Sequence, residues 1–239
     1  MASSLKDKKV LVVGRGSGIA RAIAEAARDA GARLVVAGRH REELEEAYRD
    51  APGVSAESVD LTDDDSIAGL AERVGAVDHV VSTASARARG LIGDLDRDAV
   101  RRSFDTKVIG PLMLARAFRE RINDGGSMVV FSGVAAFDIE PGTLAVAITN
   151  GAADTLTRSL AVELAPIRVN AISPGVVDTG AWDALGEDGK ARLFAEKREH
   201  NPARRIGAPQ DVADAAILAM TNTFMTGVTL HVDGGERLS

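Results

Sequence analysis

The sequence predicts a doubly wound α/β fold, in which helices cover both faces of a parallel sheet. Short runs rich in β-branched residues alternate with longer alanine-rich or amphipathic stretches, and these runs are apolar almost throughout. Strands of a parallel sheet are covered on both faces, which is why they read as continuous apolar runs. With 239 residues and neither a repeat nor a linker, the chain is expected to form one domain, residues 1–239.

The predicted strands are short and separated by helix-length intervals. In chain order they are Lys9–Val13, Arg33–Ala37, the weaker Ser55–Val59, Val77–Val81, Ser127–Phe131, Ile167–Ile172 and Val228–Val232. The predicted helices between them are Ile19–Ala30, Arg41–Arg49, Asp63–Val74 with Thr62 as N-cap, Asp96–Ile122, Gly142–Leu164 and Asp211–Met220. Right-handed crossovers between such units produce a doubly wound sheet.

The composition excludes several classes of function. The absence of cysteine excludes disulfides, thiolate metal sites and cysteine nucleophiles. A net charge of −6 disfavours a nucleic-acid partner, since phosphate contacts need a basic face. No apolar run approaches the ~20 residues that cross a bilayer, and the first residues do not resemble a secretory signal. We therefore expect a cytoplasmic protein without a membrane partner. The histidines show no metal-ligand spacing, so no metal site is predicted.

A glycine-rich turn follows the first predicted strand. Residues 14–20 read Gly-Arg-Gly-Ser-Gly-Ile-Ala and lead directly into a helix. Gly14 permits a tight reversal, and Gly18 lets the backbone approach a pyrophosphate. The helix start at Ser17 and Ile19 offers free N–H groups and the positive end of the helix dipole. A strand, a glycine turn and a helix in this order favour a dinucleotide site over a simple turn.

The second predicted strand indicates which dinucleotide binds. An NAD-preferring site usually places an acidic residue after this strand, but this chain has Gly38 and Arg39 there. Arg15 lies in the glycine turn opposite, and two guanidinium groups suit a 2′-phosphate that a carboxylate would repel. We therefore expect NADP(H) as cofactor. The alternative is that both arginines are ordinary solvated surface residues.

Several further segments, in the right order, resemble the short-chain dehydrogenase/reductase family from Lys9 to Gly235. The segments that carry the resemblance are Asp60–Asp63, Leu160–Asn170, Ser173–Thr179, Thr226–Gly227 and Asp233–Gly235. The resemblance implies a Rossmann-type sheet of seven parallel strands in the order 3-2-1-4-5-6-7, and an oxidoreductase activity. It also implies that the cofactor meets Asp60, Leu61, Ala84, Pro174, Gly175, Val177 and Thr179, the last two at the nicotinamide amide.

Two stretches depart mildly from the family pattern. Val13 and Ala20 stand where the family usually has threonine and glycine around the glycine turn. Residues 82–85 read Ser-Thr-Ala-Ser in place of Asn-Asn-Ala-Gly. These changes weaken the support around the cofactor without removing its site.

The catalytic positions depart severely. The serine, tyrosine, lysine and helix-borne asparagine of the family's reductases fall here on Gly133, Val146, Asn150 and Lys107. Valine has no titratable proton and cannot act as an acid or base. The only tyrosine, Tyr48, lies in the helix after the second strand, on the adenosine side of the fold.

The exchange of lysine and asparagine suggests a rebuilt site. We hypothesise that Lys107 and Asn150 form a relocated polar pair at the nicotinamide ribose. The alternative is that Lys107 extends to solvent while Asn150 fills a packing gap. Ser132 is a second-choice partner for a substrate carbonyl, because in a continuing strand it would point to the face opposite that of position 133.

Residues 179–209 form a long insertion that is predicted to be a lid over the cofactor cleft. Trp182 is its main apolar residue. Its basic residues are more simply interpreted as the solvated side of an amphipathic helix, Asp188–Glu199, whose Leu193 packs against the rest of the domain. Arg87 and Arg89, after the fourth strand, border the same cleft and suit an anion.

Three functions remain open at this point. The first is an NADP(H)-dependent oxidoreductase with an altered proton relay acting on an unidentified small molecule. The second is a non-catalytic NADP(H)-binding sensor or assembly protein, and the third is a non-redox enzyme on the same fold. From the resemblance we also expect a homodimer or homotetramer built on helices 96–122 and 142–164.

Overall fold

A computed structural model describes residues 4–239 and contains one seven-stranded sheet of order β3-β2-β1-β4-β5-β6-β7. All neighbouring strands are parallel. The strands are β1 (Lys9–Val13), β2 (Arg33–Gly38), β3 (Val54–Ser58), β4 (Val77–Ser82), β5 (Ile122–Phe131), β6 (Arg168–Pro174) and β7 (Thr229–Val232). The helices are α1 (Gly18–Asp29), α2 (Arg41–Ala47), α3 (Asp64–Val74), α4 (Arg97–Phe104), α5 (Gly110–Phe118), α6 (Leu144–Glu163), α7 (Gly186–His200) and α8 (Pro209–Thr221). The predicted fold class and strand order are confirmed.

Helices cover both faces of the sheet and create two apolar cores. Along β1, Val10 and Val12 enter one core together with residues of α1 and α8. The intervening Leu11 and Val13 enter the other core, with residues of α3 and α5. Successive strand residues point to opposite faces, so an entirely apolar strand fits only a sheet that is buried on both sides.

The predicted helix Asp96–Ile122 is helical from Arg97 to Phe118, but it ends four residues early and is not a regular α-helix throughout. A π-helical turn, Asp105–Ile109, separates α4 from α5, and Ile122 begins β5 instead of ending a helix. Pro111 has no N–H to bond to the carbonyl of Lys107, which removes one regular helical hydrogen bond at this point. A Cβ at Gly110 would lie 2.7 Å from the Leu61 Cβ atom, so the chain is also tightly packed there.

Other element ends differ from prediction for local reasons. Asp63, not Thr62, caps α3, and its carboxylate accepts the N–H of Asp65 at 2.9 Å. The hydroxyl of Thr62 is engaged elsewhere, because it donates to Asp60 at 2.8 Å. Helix α6 begins after Gly142, whose φ of 83° is left-handed. The predicted start of the last helix at Asp211 is also wrong, because α8 begins at Pro209, a residue favoured in a first turn. The predicted start of the fifth strand at Ser127 is wrong as well, because β5 begins at Ile122. The remaining ends shift by about one or two residues.

Two observations bear on membranes and metals. Within residues 4–239, none of the helices is both long and apolar enough to span a membrane. The same part of the chain contains no group of three or more His, Cys, Asp or Glu residues placed to hold a metal ion.

The buried His79 contacts Ser127 Oγ through Nδ1 at 2.8 Å, and burial lowers its pKa to about 4. His79 is therefore a neutral core residue.

Candidate cofactor and catalytic site

The glycine-rich turn lies at the carboxyl edge of the sheet, between β1 and α1. The Gly14 N–H donates to Ala37 O at 2.8 Å, and a Cβ at Gly14 would lie 2.2 Å from Thr83 Oγ1. Gly18 has a φ of 58°, a conformation that favours glycine, and it opens α1. The Ser17 side chain makes no capping hydrogen bond in the described structure, so it leaves the first-turn N–H groups free for a ligand.

Thr83 anchors this turn, a role that the sequence analysis does not predict. Both its N–H and its hydroxyl donate to Val13 O, at 2.9 and 3.1 Å. These bonds come from the neighbouring strand end and hold the segment where Val13 provides no polar side chain. The sequence feature that could have predicted this role is the threonine directly after β4, which faces a glycine of the turn.

Arg15 and Arg39 follow two neighbouring strands at the same edge of the sheet. Their strands pair in register, with Val13 opposite Ala37, so each arginine lies two residues beyond this pair. Both side chains are exposed, and neither forms an ion pair within residues 4–239. Their convergence on one phosphate stays a prediction.

Asp60 lies just beyond β3, at the same edge. Its Oδ1 atom accepts the N–H of Thr62 at 2.9 Å and the hydroxyl of Thr62 at 2.8 Å. These bonds, and to a smaller extent the charge of Arg39, lower the pKa of Asp60. The carboxylate is therefore ionised and fixed in place. The neighbouring Leu61 side chain is buried, and Ala84 is half-buried against the same core.

The predicted Pro-Gly loop begins at Pro174, the last residue of β6. Gly175 packs so closely that a Cβ there would lie 2.7 Å from Glu236 Oε2. The same carboxylate oxygen accepts the N–H of Val176 at 3.1 Å. Glu236 thus ties the loop to the C-terminal segment.

The end of this loop meets the glycine turn. A Cβ at Gly18 would lie 3.3 Å from the Cβ of Thr179, so two predicted cofactor residues are close together. The carbonyl of Val177 accepts the indole N–H of Trp182 at 2.9 Å. In this arrangement the lid tryptophan holds a backbone group that was expected to face the nicotinamide.

Lys107 is the most unusual group at the site. It lies in the π-helical turn Asp105–Ile109, is only 8% exposed, and donates from Nζ to Ser132 O at 2.9 Å. The alternative that Lys107 extends to solvent is therefore wrong. Burial, with the charge of Arg87 as the next cause, lowers the pKa of Lys107 to about 7, although Asp154 opposes the shift. A π-turn inside a helix is frequently a functional position.

Asn150 and Lys107 do not bond to each other; instead they bond to consecutive carbonyls. Asn150 Nδ2 donates to Gly133 O at 3.2 Å, while its buried Oδ1 atom has no partner in the described structure. A Cβ at Gly133 would lie 2.8 Å from Asn150 Nδ2, so the glycine makes room for the asparagine. Ser132 does not point away as expected, because β5 ends at Phe131 and the hydroxyl donates to Asn150 O at 3.1 Å.

The position of the family's tyrosine offers no acid. Val146 is buried in α6. Tyr48 is also buried, packs beneath the glycine turn against the position that a Cβ at Gly16 would take, and has its pKa raised to about 12 by burial. Its place beside the glycine turn agrees with the predicted adenosine side.

Trp182 brings the predicted lid into contact with the loop after β4. The guanidinium carbons of Arg87 and Arg89 lie 5.5 and 5.9 Å from the centroid of its ring. Desolvation in the cleft, followed by the charges of Arg89 and Arg15, lowers the pKa of Arg87. The sequence analysis places both segments at the cleft but does not predict this contact, because the two segments are far apart in the chain.

Helix α7 is held mainly by ion pairs, since none of its residues is buried and Leu193 is only partly covered. The Lys197 ammonium lies 2.6 Å from Glu140 Oε1, 3.0 Å from Glu236 Oε1 and 3.7 Å from Asp138 Oδ2. Desolvation opposes the shift, but Glu140 and Glu236 together raise the pKa of Lys197. Lys197 therefore clamps the helix to the body, and Lys190 of the same helix adds a more exposed ion pair with Asp178 at 3.0 Å.

The other basic residues of this segment are not directed at a ligand. Arg205 pairs with Asp211 at 2.6 Å, Arg204 bonds to the carbonyl of Glu199, and Arg198 is exposed. The simpler interpretation of these charges, as structural or solvated groups, therefore agrees with the structure.

Comparisons with known proteins cover nearly the whole chain. The family model described as "Enoyl-(Acyl carrier protein) reductase" matches residues 13–236. L-xylulose reductase from Bos taurus is 31% identical over 239 residues, covering 97% of each chain. A solved small-chain dehydrogenase in complex with NADPH is 29% identical with a TM-score of 0.83, covering 98% of this chain and 100% of that one. A short-chain type dehydrogenase/reductase from Mycobacterium ulcerans is 31% identical with a TM-score of 0.91, covering 98% and 91%.

Proposed function

Because this chain belongs to the short-chain dehydrogenase/reductase family of oxidoreductases, we propose that it is an NADP(H)-binding member whose proton relay uses Lys107 in place of tyrosine. The substrate is a small molecule with a carbonyl group, or the corresponding alcohol. The single domain spans residues 1–239, and residues 179–209 act as its lid.

The buried Lys107 amine carries this proposal. An ordinary lysine is charged at neutral pH and gives up its proton reluctantly. Here the amine is fixed by Ser132 O at 2.9 Å, and its pKa of about 7 lets both protonation states exist near neutrality. Those are two of the properties that acid–base catalysis requires, and hydrogen-bond reach to the substrate oxygen is part of the proposal.

The residues at the carboxyl edge fit a dinucleotide. The free amides that open α1 suit a pyrophosphate, Arg15 and Arg39 suit a 2′-phosphate, and the ionised Asp60 suits an adenine amino group. The unpartnered Oδ1 of Asn150 suits a ribose hydroxyl. When bound, the nicotinamide supplies the hydride for carbonyl reduction, or accepts it in alcohol oxidation.

The chain's own contribution is the proton. In reduction, the Lys107 ammonium would give one proton to the carbonyl oxygen and become a neutral amine; with the hydride that a bound nicotinamide supplies, this proton completes the alcohol. The amine regains a proton from solvent. In oxidation the neutral amine takes the hydroxyl proton. The carbonyl of Ser132 keeps the amine oriented in both directions.

Two measurements test the proposed function. NADPH is titrated by fluorescence, and the protein is then screened with carbonyl and alcohol substrates for a change in nicotinamide absorbance. Turnover supports the proposal. Tight binding without turnover supports the non-catalytic sensor, which the valine at position 146 favours, and activity without cofactor supports a non-redox enzyme.

Replacing Arg39 with glutamate should weaken NADPH binding by about tenfold or more, because a carboxylate repels the 2′-phosphate. NADH binding should not weaken, since NADH lacks that group and an acidic residue after this strand suits its ribose 2′-hydroxyl. Arg33→Glu is the matched control, because Arg33 begins the same strand, β2, at the opposite edge of the sheet. Equal losses for NADPH and NADH would contradict an Arg39–phosphate contact.

Replacing Lys197 with methionine should open the lid. Glu236, whose side chain is only 4% exposed, would be left buried without its cation, a loss of ~3–5 kcal/mol. We expect a lower free energy of unfolding and faster proteolysis within residues 179–209. Lys190→Met is the control, because its partners Asp178 and Asp183 are exposed and the expected loss is below ~1 kcal/mol. Equal effects of the two variants would argue against the clamp.

The proposal includes a homodimer or homotetramer. Support comes from apolar side chains exposed on the two predicted interface helices: Ile109, Leu112, Leu144 and Ile148. Such residues are typically covered by a partner when they lie together. Light scattering on the purified protein measures the particle mass, and a monomer would refute this part. The cytoplasmic location stays a prediction.

A further inference from the structure

We infer that Arg87, Arg89 and Trp182 form an anion-binding subsite, which selects substrates that carry a carboxylate or phosphate on an apolar body. The inference rests on the proposed function, because a substrate subsite presupposes a substrate. It goes further by naming the chemical class that the cleft accepts.

The geometry brings two guanidinium groups to one aromatic platform. The guanidinium carbons of Arg87 and Arg89 lie 5.5 and 5.9 Å from the centroid of the Trp182 ring, and the indole N–H is fixed on Val177 O at 2.9 Å. Stacking restricts the rotation of a guanidinium, and it leaves the N–H edges available for a planar or tetrahedral anion.

Both arginines keep an uncompensated charge. In the described part of the chain, no carboxylate lies within ion-pair distance of either one. Two acidic residues of the adjoining segments have other partners: Asp178 pairs with Lys190 at 3.0 Å, and Glu140 pairs with Lys197 at 2.6 Å. In a protein with a net charge of −6, these free cations therefore concentrate positive potential at the cleft.

The surrounding loops supply the apolar part of the subsite. Large apolar side chains are exposed on the segments that adjoin the stack: Leu91, Ile92, Phe137, Ile139 and Leu185. Two of these segments are tied together, because the N–H of Gly90 donates to Gly142 O at 3.0 Å. Exposed apolar side chains on segments next to two cations suit an amphipathic anion better than a sugar or an inorganic ion.

The subsite is also coupled to the proposed proton donor. The charge of Arg87 contributes to the lowered pKa of Lys107, so the two groups interact electrostatically. An anion on Arg87 offsets that charge and favours the protonated amine. Binding of an anionic substrate would thereby favour the protonated form of Lys107, which supplies the proton that reduction consumes.

Three probes of equal chain length test the subsite without requiring turnover. Octanoate, octyl phosphate and octan-1-ol are titrated into the intact protein, with and without saturating NADPH. Because Trp182 is the only tryptophan, its emission reports on the stack directly, and calorimetry gives an independent affinity. We expect at least one anion to bind about tenfold more tightly than octan-1-ol, and the tighter anion identifies the substrate's charged group.

Variants assign the binding to the arginines. Arg87→Gln with Arg89→Gln should abolish the preference for the anion, whereas Arg33→Gln, which removes one arginine charge at the opposite sheet edge, should preserve it. Arg89→Gln alone covers the case that the double variant does not fold. Equal binding of the anions and octan-1-ol, a loss with Arg33→Gln, or displacement of both anions by NADPH would overturn the subsite. None of the probes has an aldehyde or ketone group, so anion binding without turnover of any carbonyl substrate would refute only the proposed function.

Discussion

Replacing Lys107 with methionine should lower kcat by ~10²–10⁴-fold, the usual contribution of a positioned acid or base. Methionine fills a similar volume but has no proton to transfer, and no tyrosine lies at position 146 to take over. The loss in kcat should greatly exceed any loss in NADPH affinity, which is measured separately by fluorescence. Steady-state kinetics on the best substrate from the screen gives the comparison.

Lys107→Arg separates proton transfer from charge. Arginine keeps the positive charge but stays protonated at all accessible pH values, so it should be as inactive as methionine. Lys6→Met, at an exposed position on the opposite edge of the sheet, should leave kcat unchanged. Activity retained by Lys107→Arg would show that the position supplies charge or packing, not a proton.

The same methionine variant should be more stable than the wild type at neutral and lower pH. Burial lowers the pKa of Lys107 from 10.5 to about 7, so below pH ~7 the folded protein carries a buried charge. Each pKa unit corresponds to about 1.4 kcal/mol, which makes the penalty several kcal/mol. Removing the amine removes the penalty, minus the ~1 kcal/mol of its bond to Ser132 O.

The sign of the pH dependence follows from linkage. Between pH ~7 and ~10.5 the unfolded lysine binds a proton that the folded lysine lacks, so wild-type stability rises with pH in this window relative to the variant. The advantage of Lys107→Met should thus be constant below pH ~7 and shrink above it. Urea denaturation of both proteins across this range measures the difference, and a difference that does not change with pH would contradict a depressed pKa.

The sheet was predictable because its strands are continuous apolar runs, a local pattern with which the tertiary packing agrees. Val10 to Val13 are all apolar, and every one of them is buried in one of the two cores. The π-helical turn at Asp105–Ile109 was not predictable from periodicity. It depends on Pro111 and on the close approach of Gly110 to Leu61, and the latter is a contact between distant segments.

The site was predictable in its residues but not in its contacts. The resemblance located Lys107 and Asn150, yet their bonds to the consecutive carbonyls of Ser132 and Gly133 exist only once β5 and α6 have packed. The influence of Arg87 on Lys107 likewise depends on the loop path after β4. A sequence shows which groups are present, whereas a pKa depends on burial and on charges that the fold brings near.

The direct test of the central claim is the pKa of Lys107 itself. In the cofactor-free protein, with lysines isotope-labelled at Cε, NMR follows each side chain through a pH titration, and the signal absent from Lys107→Met is that of Lys107. We predict a titration midpoint near pH 7, well below that of the exposed lysines. A midpoint with the other lysines, near the ordinary value of about 10.4, would show that Lys107 is not a neutral-pH proton donor and would contradict the proposed mechanism.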